Sequence, residues 1–191
     1  MNVMSQINKA SEKVRRNGTE ALFKIFTSLQ FLAKQGIPIR SHDSVHSNFI
    51  QLLHLRSTDC PVLKDWLSRK TKWTSAQIQE EMLKSMSLAV LRKIMGIINN
   101  SKFYGLMADE TSDNSDIEQL CITVRIVTDN LQADEYVLGL YALDKCDAET
   151  IFETMKDALI RFNIPLSKCR AQCYDGARTF QGENTGVLTR F

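Results

Sequence analysis

The sequence contains no apolar run long enough to span a membrane, and residues 1–16 are polar and mixed in charge. It therefore predicts neither a membrane protein nor a secreted protein with a leader peptide. The five cysteines are an odd number without regular spacing, which argues against the disulfide framework of a secreted domain. A reducing compartment, the nucleus or the cytosol, is the expected location.

Charge and composition give little direct information on function. The chain of 191 residues has a formal net charge of +2 at pH 7, which does not by itself indicate a nucleic-acid partner. A hydrophobic fraction of 43% and a charged fraction of 24% are ordinary for a globular protein. The sequence has no internal repeat and no low-complexity tract. Its length suits one domain with a helical extension, or two small units.

Helical periodicity dominates the first half of the chain. Residues 1–18 have no sustained apolar pattern and are predicted to be a flexible lead-in or a frayed helix. Apolar stripes then predict four helices, of which the first is capped by Thr19 and ended by Gly36, and the last begins at Ser75. Together they predict a helical N-terminal region over residues 19–100.

The apolar pattern changes from helix to strand after residue 100. A helix beginning at Asp147 or Thr150 separates the last strand from the first three. Short turns between those three favour an antiparallel meander, and the helix lets the fourth strand return parallel by a right-handed crossover. Four segments have the pattern of strands: Phe103–Ala108, Leu120–Ile126, Tyr136–Leu140 and Cys169–Tyr174.

This order of elements predicts an α/β fold. If the last strand lies beside the first, the arrangement is the beginning of an RNase H-like core: three antiparallel strands, a helix and a parallel strand. Residues 101–191 are therefore predicted to form a truncated, partial RNase H-like domain. Asp109 and Asp175 are each expected where a strand gives way to a loop, at the same edge of the sheet.

Two carboxylates at one edge suggest a metal site. They resist joint ionisation unless a cation lies between them, and Mg²⁺ or Mn²⁺ suits such oxygen ligands. Two such ions would stabilise the attacking and leaving oxygens of phosphodiester transfer. Asp109 and Asp175 are thus the candidate catalytic and metal-binding residues. Alternatively, both are simply turn residues that end their strands.

A third acidic residue is harder to find. Glu183 is too close to Asp175 to lie on a well-packed following helix, whereas Glu110 and Asp113 could contribute locally. A separate group of residues could contact phosphates and bases, but a solvated face with its tryptophans turned into the core is the favoured interpretation. This group comprises Lys64, Arg69, Lys70 and Lys72 together with Trp66 and Trp73.

Several motifs resemble a known family. Phe103–Leu120 resembles the first acidic motif of a transposase-derived domain of unknown function related to hAT-superfamily transposases. This domain occurs in zinc-finger MYM-type protein 1-like and repressor-of-kinase-inhibitor-like proteins. Tyr174–Ala177 is similar to its second motif, and scattered matches between Leu32 and Leu53 resemble its entry segment. The resemblance covers about residues 30–191.

The resemblance implies an RNase H-like core with a helical leader. In active relatives an acidic triad cuts and joins DNA with Mg²⁺ or Mn²⁺. Asp109 and Asp175 match its first two members, but the third, a Glu far downstream, has no counterpart before Phe191. The zinc finger and the dimerisation region of the family have no counterpart either. Ala171 and Cys173 stand where glycines are common, which matters if the backbone there needs positive φ.

The sequence thus predicts a fragment of a domesticated hAT-like transposase domain. A non-catalytic module that interacts with nucleic acid or protein is favoured. The alternative is a metal-dependent transposase or nuclease core that takes its third acidic residue from a longer parent or a partner chain. Expected partners are DNA, a protein, or a second copy bound through an uncovered sheet. No membrane and no small-molecule substrate is expected.

Overall fold

The computed structural model describes residues 3–41, 46–112, 117–175, 180 and 186–190. The chain forms two compact units, Met1–Ala89 and Val90–Phe191. No helix in the described ranges is long and apolar enough to cross a bilayer. The helices are α1 Val3–Lys34, α2 Asn48–Ser57, α3 Pro61–Ser68, α4 Ala76–Asn100 and α5 Ala148–Arg161.

The first helix is longer than the apolar pattern suggests. α1 already begins at Val3 and so includes residues predicted as a lead-in. The predicted cap at Thr19 is wrong, because its hydroxyl donates to the Arg15 carbonyl oxygen at 3.0 Å inside the helix. The predicted end is correct. Gly36 has φ of +64°, the left-handed conformation that glycine adopts without strain after a helix.

The N-terminal unit is a helical bundle with its own core. One polar contact joins α1 to α2: the Arg56 guanidinium Nη1 donates to the Lys24 carbonyl oxygen at 2.9 Å and to the Thr27 and Ser28 hydroxyls at 2.9 and 2.7 Å. Part-buried side chains of α4 pack against the apolar core. The buried core residues are Ile25, Leu29, Leu32, Phe49, Leu53, Cys60 and Leu63.

The second unit contains one mixed sheet of four strands in the order β3-β2-β1-β4. β1 pairs antiparallel with β2, β2 antiparallel with β3, and β1 parallel with β4. This is the predicted meander followed by a parallel return, so the predicted α/β class is confirmed. The strands are β1 Tyr104–Ser112, β2 Glu118–Val127, β3 Ala133–Ala142 and β4 Cys169–Tyr174.

One face of this sheet is buried against α5. Alternate residues of β2, from Leu120 to Ile126, are buried, as the period of a strand requires. α5 begins at the predicted cap Asp147, whose carboxylate accepts a hydrogen bond from the Thr150 backbone N–H at 2.8 Å. The buried side chains of α5 are Ile151, Met155, Ala158 and Leu159. The sheet and α5 therefore form the two layers that position the candidate site.

Candidate functional site

Asp109 lies within β1 rather than at its end. The prediction that the strand stops at Ala108 is wrong, because β2 offers hydrogen-bonding partners for four more residues. Asp109 is paired with Cys121, and the ladder continues to Ser112 opposite Glu118. The carboxyl group of Asp109 is therefore held by a paired strand and not by a turn.

Asp175 follows the last residue of β4, as predicted. The parallel register pairs Ala108 with Tyr174. Asp109 and Asp175 are the next residues along the two chains, so extending this register by one residue would place them at neighbouring positions. Both residues are exposed. The fold thus brings the two predicted residues to the same part of the sheet, where both carboxylates act on Glu110.

Strand alternation separates Asp109 from the residue after it. Ala108 is buried in the core, so Asp109 lies on the opposite face and Glu110 returns to the core side. Glu110 is half-buried, and its Oε1 has no hydrogen-bond partner in the described part of the chain. Burial raises the pKa of Glu110, as do the nearby carboxylates of Asp175, Glu118 and Asp109, while a hydrogen bond with Cys146 lowers it.

Glu110 is the acidic residue whose position was least evident from the sequence. From the sequence, Glu110 is expected to make only a local contribution to the metal site. Its place on the core face follows from the alternation that buries Ala108, once β1 is extended beyond that residue. Asp113 and Glu183, the other candidates for a third carboxylate, lie outside the described residues.

The carboxylates are the type of ligand that a hard divalent cation prefers. Aspartate and glutamate oxygens are the ligands that Mg²⁺ and Mn²⁺ prefer. Within the described residues, no three histidine, cysteine, aspartate or glutamate side chains are grouped closely enough to hold a metal ion. Asp109 and Asp175, supported by Glu110, therefore stay a predicted metal site.

The two positions where the resemblance leads us to expect glycine are not strained. Ala171 and Cys173 both lie in β4 and have ordinary strand conformations, since neither has positive φ. Ala171 is the register partner of Gly105, and a Cβ on Gly105 would lie 3.7 Å from the Ala171 Cβ, an ordinary contact. Alanine and cysteine therefore fit the backbone of β4 at these positions.

A second candidate site lies in the N-terminal unit. It is a cleft of about 960 Å³, here called the basic cleft, between the segment after α3 and the beginnings of α2 and α4. Its lining combines cationic, aromatic and polar side chains with apolar ones such as Leu53, Leu67 and Ile78. The larger cationic, aromatic and polar side chains of the lining are those of Arg40, His54, Lys70, Lys72, Trp73 and Gln79.

The two tryptophans of the basic and aromatic group have different environments. Trp66 is half-buried and packs against the helical core, and its Nε1 donates to the Lys72 carbonyl oxygen at 3.0 Å. Trp73 is 45% exposed and meets Trp66 edge to face, with ring centroids 6.4 Å apart. The interpretation that both tryptophans turn into the core is therefore correct for Trp66 only. Arg69 stacks over the Trp66 ring at 4.7 Å and pairs with Asp65.

The mixed sheet with α5 and the helical region before it have the architecture of an RNase-like domain. The chain belongs to the DUF4371 family, described as the ZMYM1/FAM200 RNase-like domain, which matches residues 1–186. The predicted resemblance is thereby confirmed.

Two curated relatives carry the name 52 kDa repressor of the inhibitor of the protein kinase. The Homo sapiens protein is 24% identical over 190 residues and the Mus musculus protein 23% identical over 188 residues. Each alignment covers 92% of this chain but 25% of the relative, so the chain spans about a quarter of their length. No solved structure matches the chain significantly.

Proposed function

We propose that this chain is a nucleic-acid interaction module of transposase origin that binds its target without cleaving it. The charge of the basic cleft carries the proposal. Lys70 and Lys72 line it together with Arg40, whose guanidinium is ion-paired with Glu80, and none of its described lining residues is acidic. Such cations bind phosphates and release the counterions condensed around a nucleic acid, so affinity depends on salt rather than on sequence.

The relatives' name supports a nuclear setting for this module. The human and mouse proteins are named as repressors of a kinase inhibitor. A repressor that contains an RNase-like domain of transposase origin is compatible with binding to nucleic acid in the nucleus. Nuclear location is accordingly part of the proposal.

Salt-dependent binding tests the proposal. We expect fluorescence anisotropy to detect binding of a labelled oligonucleotide that weakens as salt rises. Lys70→Ala with Lys72→Ala should lower the slope of log K against log salt by about 1.4, the value for two lost contacts to a single strand. The matched control is Lys13→Ala with Lys84→Ala, two exposed lysines outside the cleft. Equal effects in both variants, or no binding, would favour a protein partner instead.

Cleavage is assayed on the same samples. We expect the oligonucleotide to remain intact with Mn²⁺ while binding persists. Cleavage that disappears in Asp109→Ala would contradict the non-catalytic part of the proposal and leave the binding part standing.

A metal-dependent transposase or nuclease core is the second candidate, and the register of β1 with β4 favours it. The register ends at Ala108 and Tyr174, the residues before Asp109 and Asp175, and Glu110 is a half-buried carboxylate near both. These residues would hold Mg²⁺ or Mn²⁺, and the ion would supply charge stabilisation for phosphodiester chemistry. The remaining carboxylate would come from a longer parent or a partner chain.

Calorimetry with Mn²⁺ separates the two candidates. Saturable binding that is lost in Asp109→Asn with Asp175→Asn, and kept in the control Asp129→Asn with Asp144→Asn, would support a retained metal site. All four residues are exposed, so the comparison is matched for burial. Without Mn²⁺ binding in a folded sample, the acidic pair is a structural remnant.

A further inference from the structure

Gln79 is a buried polar side chain with an unused acceptor beside the basic cleft. It lines the cleft near the start of α4 and is 6% exposed. Its Nε2 donates to the Thr74 carbonyl oxygen at 2.8 Å. Its Oε1 has no hydrogen-bond partner among the described residues. A buried acceptor without a partner costs free energy, so a ligand N–H placed there would be favoured.

Trp73 adds an aromatic surface that the fold holds in place. Its φ of +60° is the left-handed conformation, which is unfavourable for a bulky side chain. Such strain persists where surrounding contacts enforce it, and it is frequent at binding sites. Here the Trp66 ring braces Trp73, and Trp66 is itself fixed by its bond to the Lys72 carbonyl oxygen. The exposed ring is therefore positioned before any ligand arrives.

Cations surround this aromatic ring and the free acceptor. Lys70 and Lys72 precede Trp73 in the same segment, and all three line the cleft. Arg40 lies on the cleft as well and is anchored by an ion pair with Glu80 at 2.9 Å. An aromatic ring for stacking, cations for the backbone and an acceptor for a base edge are the elements of single-strand recognition.

We infer that the basic cleft binds single-stranded DNA or RNA by its bases as well as its phosphates. One base stacks on Trp73, while Lys70 and Lys72 contact the phosphates. Gln79 Oε1 is shielded from solvent, so the base edge donates an N–H to it once the amide turns toward the cleft. A duplex hides both the faces and the pairing edges of its bases, so it cannot stack a base on Trp73 or donate from a pairing edge to Gln79. This inference rests on the proposed nucleic-acid function and adds the class of ligand and the contacts that select it.

Three labelled probes of equal length test the inference by anisotropy: a mixed-sequence single strand, its duplex, and a single strand of abasic sites. We expect the intact single strand to bind most tightly. Trp73→Asn suits the left-handed backbone and should weaken binding of the single strand at least about tenfold, since base stacking on an aromatic ring is a large contribution. It should leave binding of the abasic strand unchanged.

Further variants separate binding from folding. Trp73→Phe keeps a stacking surface and should restore part of the affinity. Gln79→Leu removes the unpaired acceptor at nearly constant volume, so it should weaken base-dependent binding while circular dichroism shows a folded chain. Phe23→Asn removes an aromatic ring on α1 that is more exposed than Trp73 and lies outside the cleft, and it should have no effect on binding.

The outcomes distinguish this inference from the proposed function. If the duplex or the abasic strand binds as tightly as the intact single strand, and Lys70 and Lys72 still matter, the inference is wrong but nucleic-acid binding stands. Unchanged single-strand binding in both Trp73→Asn and Gln79→Leu would also overturn it. If no probe binds and polyglutamate does, the cleft binds an acidic protein segment, and both proposals fail.

Discussion

At the scale of single residues, Arg56 joins two helices of the N-terminal unit. Its guanidinium contacts a carbonyl oxygen and two hydroxyls of α1, and Ser28 is fully buried. We expect Arg56→Ala to lower the free energy of unfolding by about 2 kcal/mol, since hydrogen bonds to a charged group are lost and a buried hydroxyl loses a partner. Urea denaturation followed by circular dichroism measures the change.

The control for Arg56 is Arg92, which is exposed on α4. Arg92→Ala should change stability by less than about 0.5 kcal/mol, as for most surface substitutions. Equal losses in the two variants would mean that Arg56 contributes through general charge and not through its contacts to α1.

The candidate sheet site was only partly predictable from single residues. The order of strands is enough to predict Asp109 near Asp175, because a parallel return beside β1 brings the end of β4 next to the middle of β1. The side chains could not be placed on the correct faces, because β1 was ended at Ala108. Strand alternation puts Asp109 on the outer face and Glu110 on the core face, and that distinction exists only if β1 continues.

At the scale of elements, we expect opposite effects on stability when two glycines are replaced by alanine. Gly96 lies inside α4, where an added Cβ would meet nothing within 4 Å, whereas Gly36 ends α1 with φ of +64°. Gly96→Ala should stabilise the chain by about 0.5–1 kcal/mol, since alanine favours the helix. Gly36→Ala should destabilise it by about 1 kcal/mol, because a Cβ is unfavourable in the left-handed conformation.

Thermal denaturation of the two glycine variants beside the wild type checks both signs in one experiment. A melting temperature that rises for Gly36→Ala would contradict the assignment of Gly36 as the residue that ends α1. A fall for Gly96→Ala would mean that α4 does not run unbroken through this position.

Element boundaries also show which sequence signals were misleading. Residues 1–18 lack an apolar stripe, so the sequence does not decide between a flexible lead-in and a frayed helix. They are nevertheless rich in good helix formers, and a helix that is already nucleated extends through such residues at little cost. The side chain of Thr19 suits a helix cap, but a threonine hydroxyl can also donate a hydrogen bond to the preceding turn inside a helix, as it does here. Gly36 was unambiguous because φ above zero selects glycine.

At the scale of the whole molecule, the outer face of the sheet is the surface we expect to self-associate. Val127, Val137 and Leu140 lie on the face opposite the core, and each is more than half exposed. β3, which carries two of them, is an edge strand with unpaired backbone groups. Sedimentation velocity should therefore show association that increases with concentration and decreases in Val137→Lys with Leu140→Lys.

The matched control for this surface is Ile160→Lys with Leu55→Lys. Both side chains are apolar and at least as exposed, but they lie on helices. A wild-type chain that stays monomeric at every concentration and melts sharply would contradict the prediction. An equal decrease in both double variants would assign the association to general hydrophobicity.

The distribution of aromatic residues has an optical consequence. Both tryptophans lie in the N-terminal unit, while all four tyrosines, Tyr104, Tyr136, Tyr141 and Tyr174, lie in the second unit. Fluorescence excited at the red edge of the absorption band comes from tryptophan and not from tyrosine. It therefore reports on the N-terminal unit alone. The perpendicular indole rings of Trp66 and Trp73 are also close enough for their transitions to couple. A near-ultraviolet dichroism signal from this pair would disappear when either ring is replaced, and would give the basic cleft an intrinsic spectroscopic label.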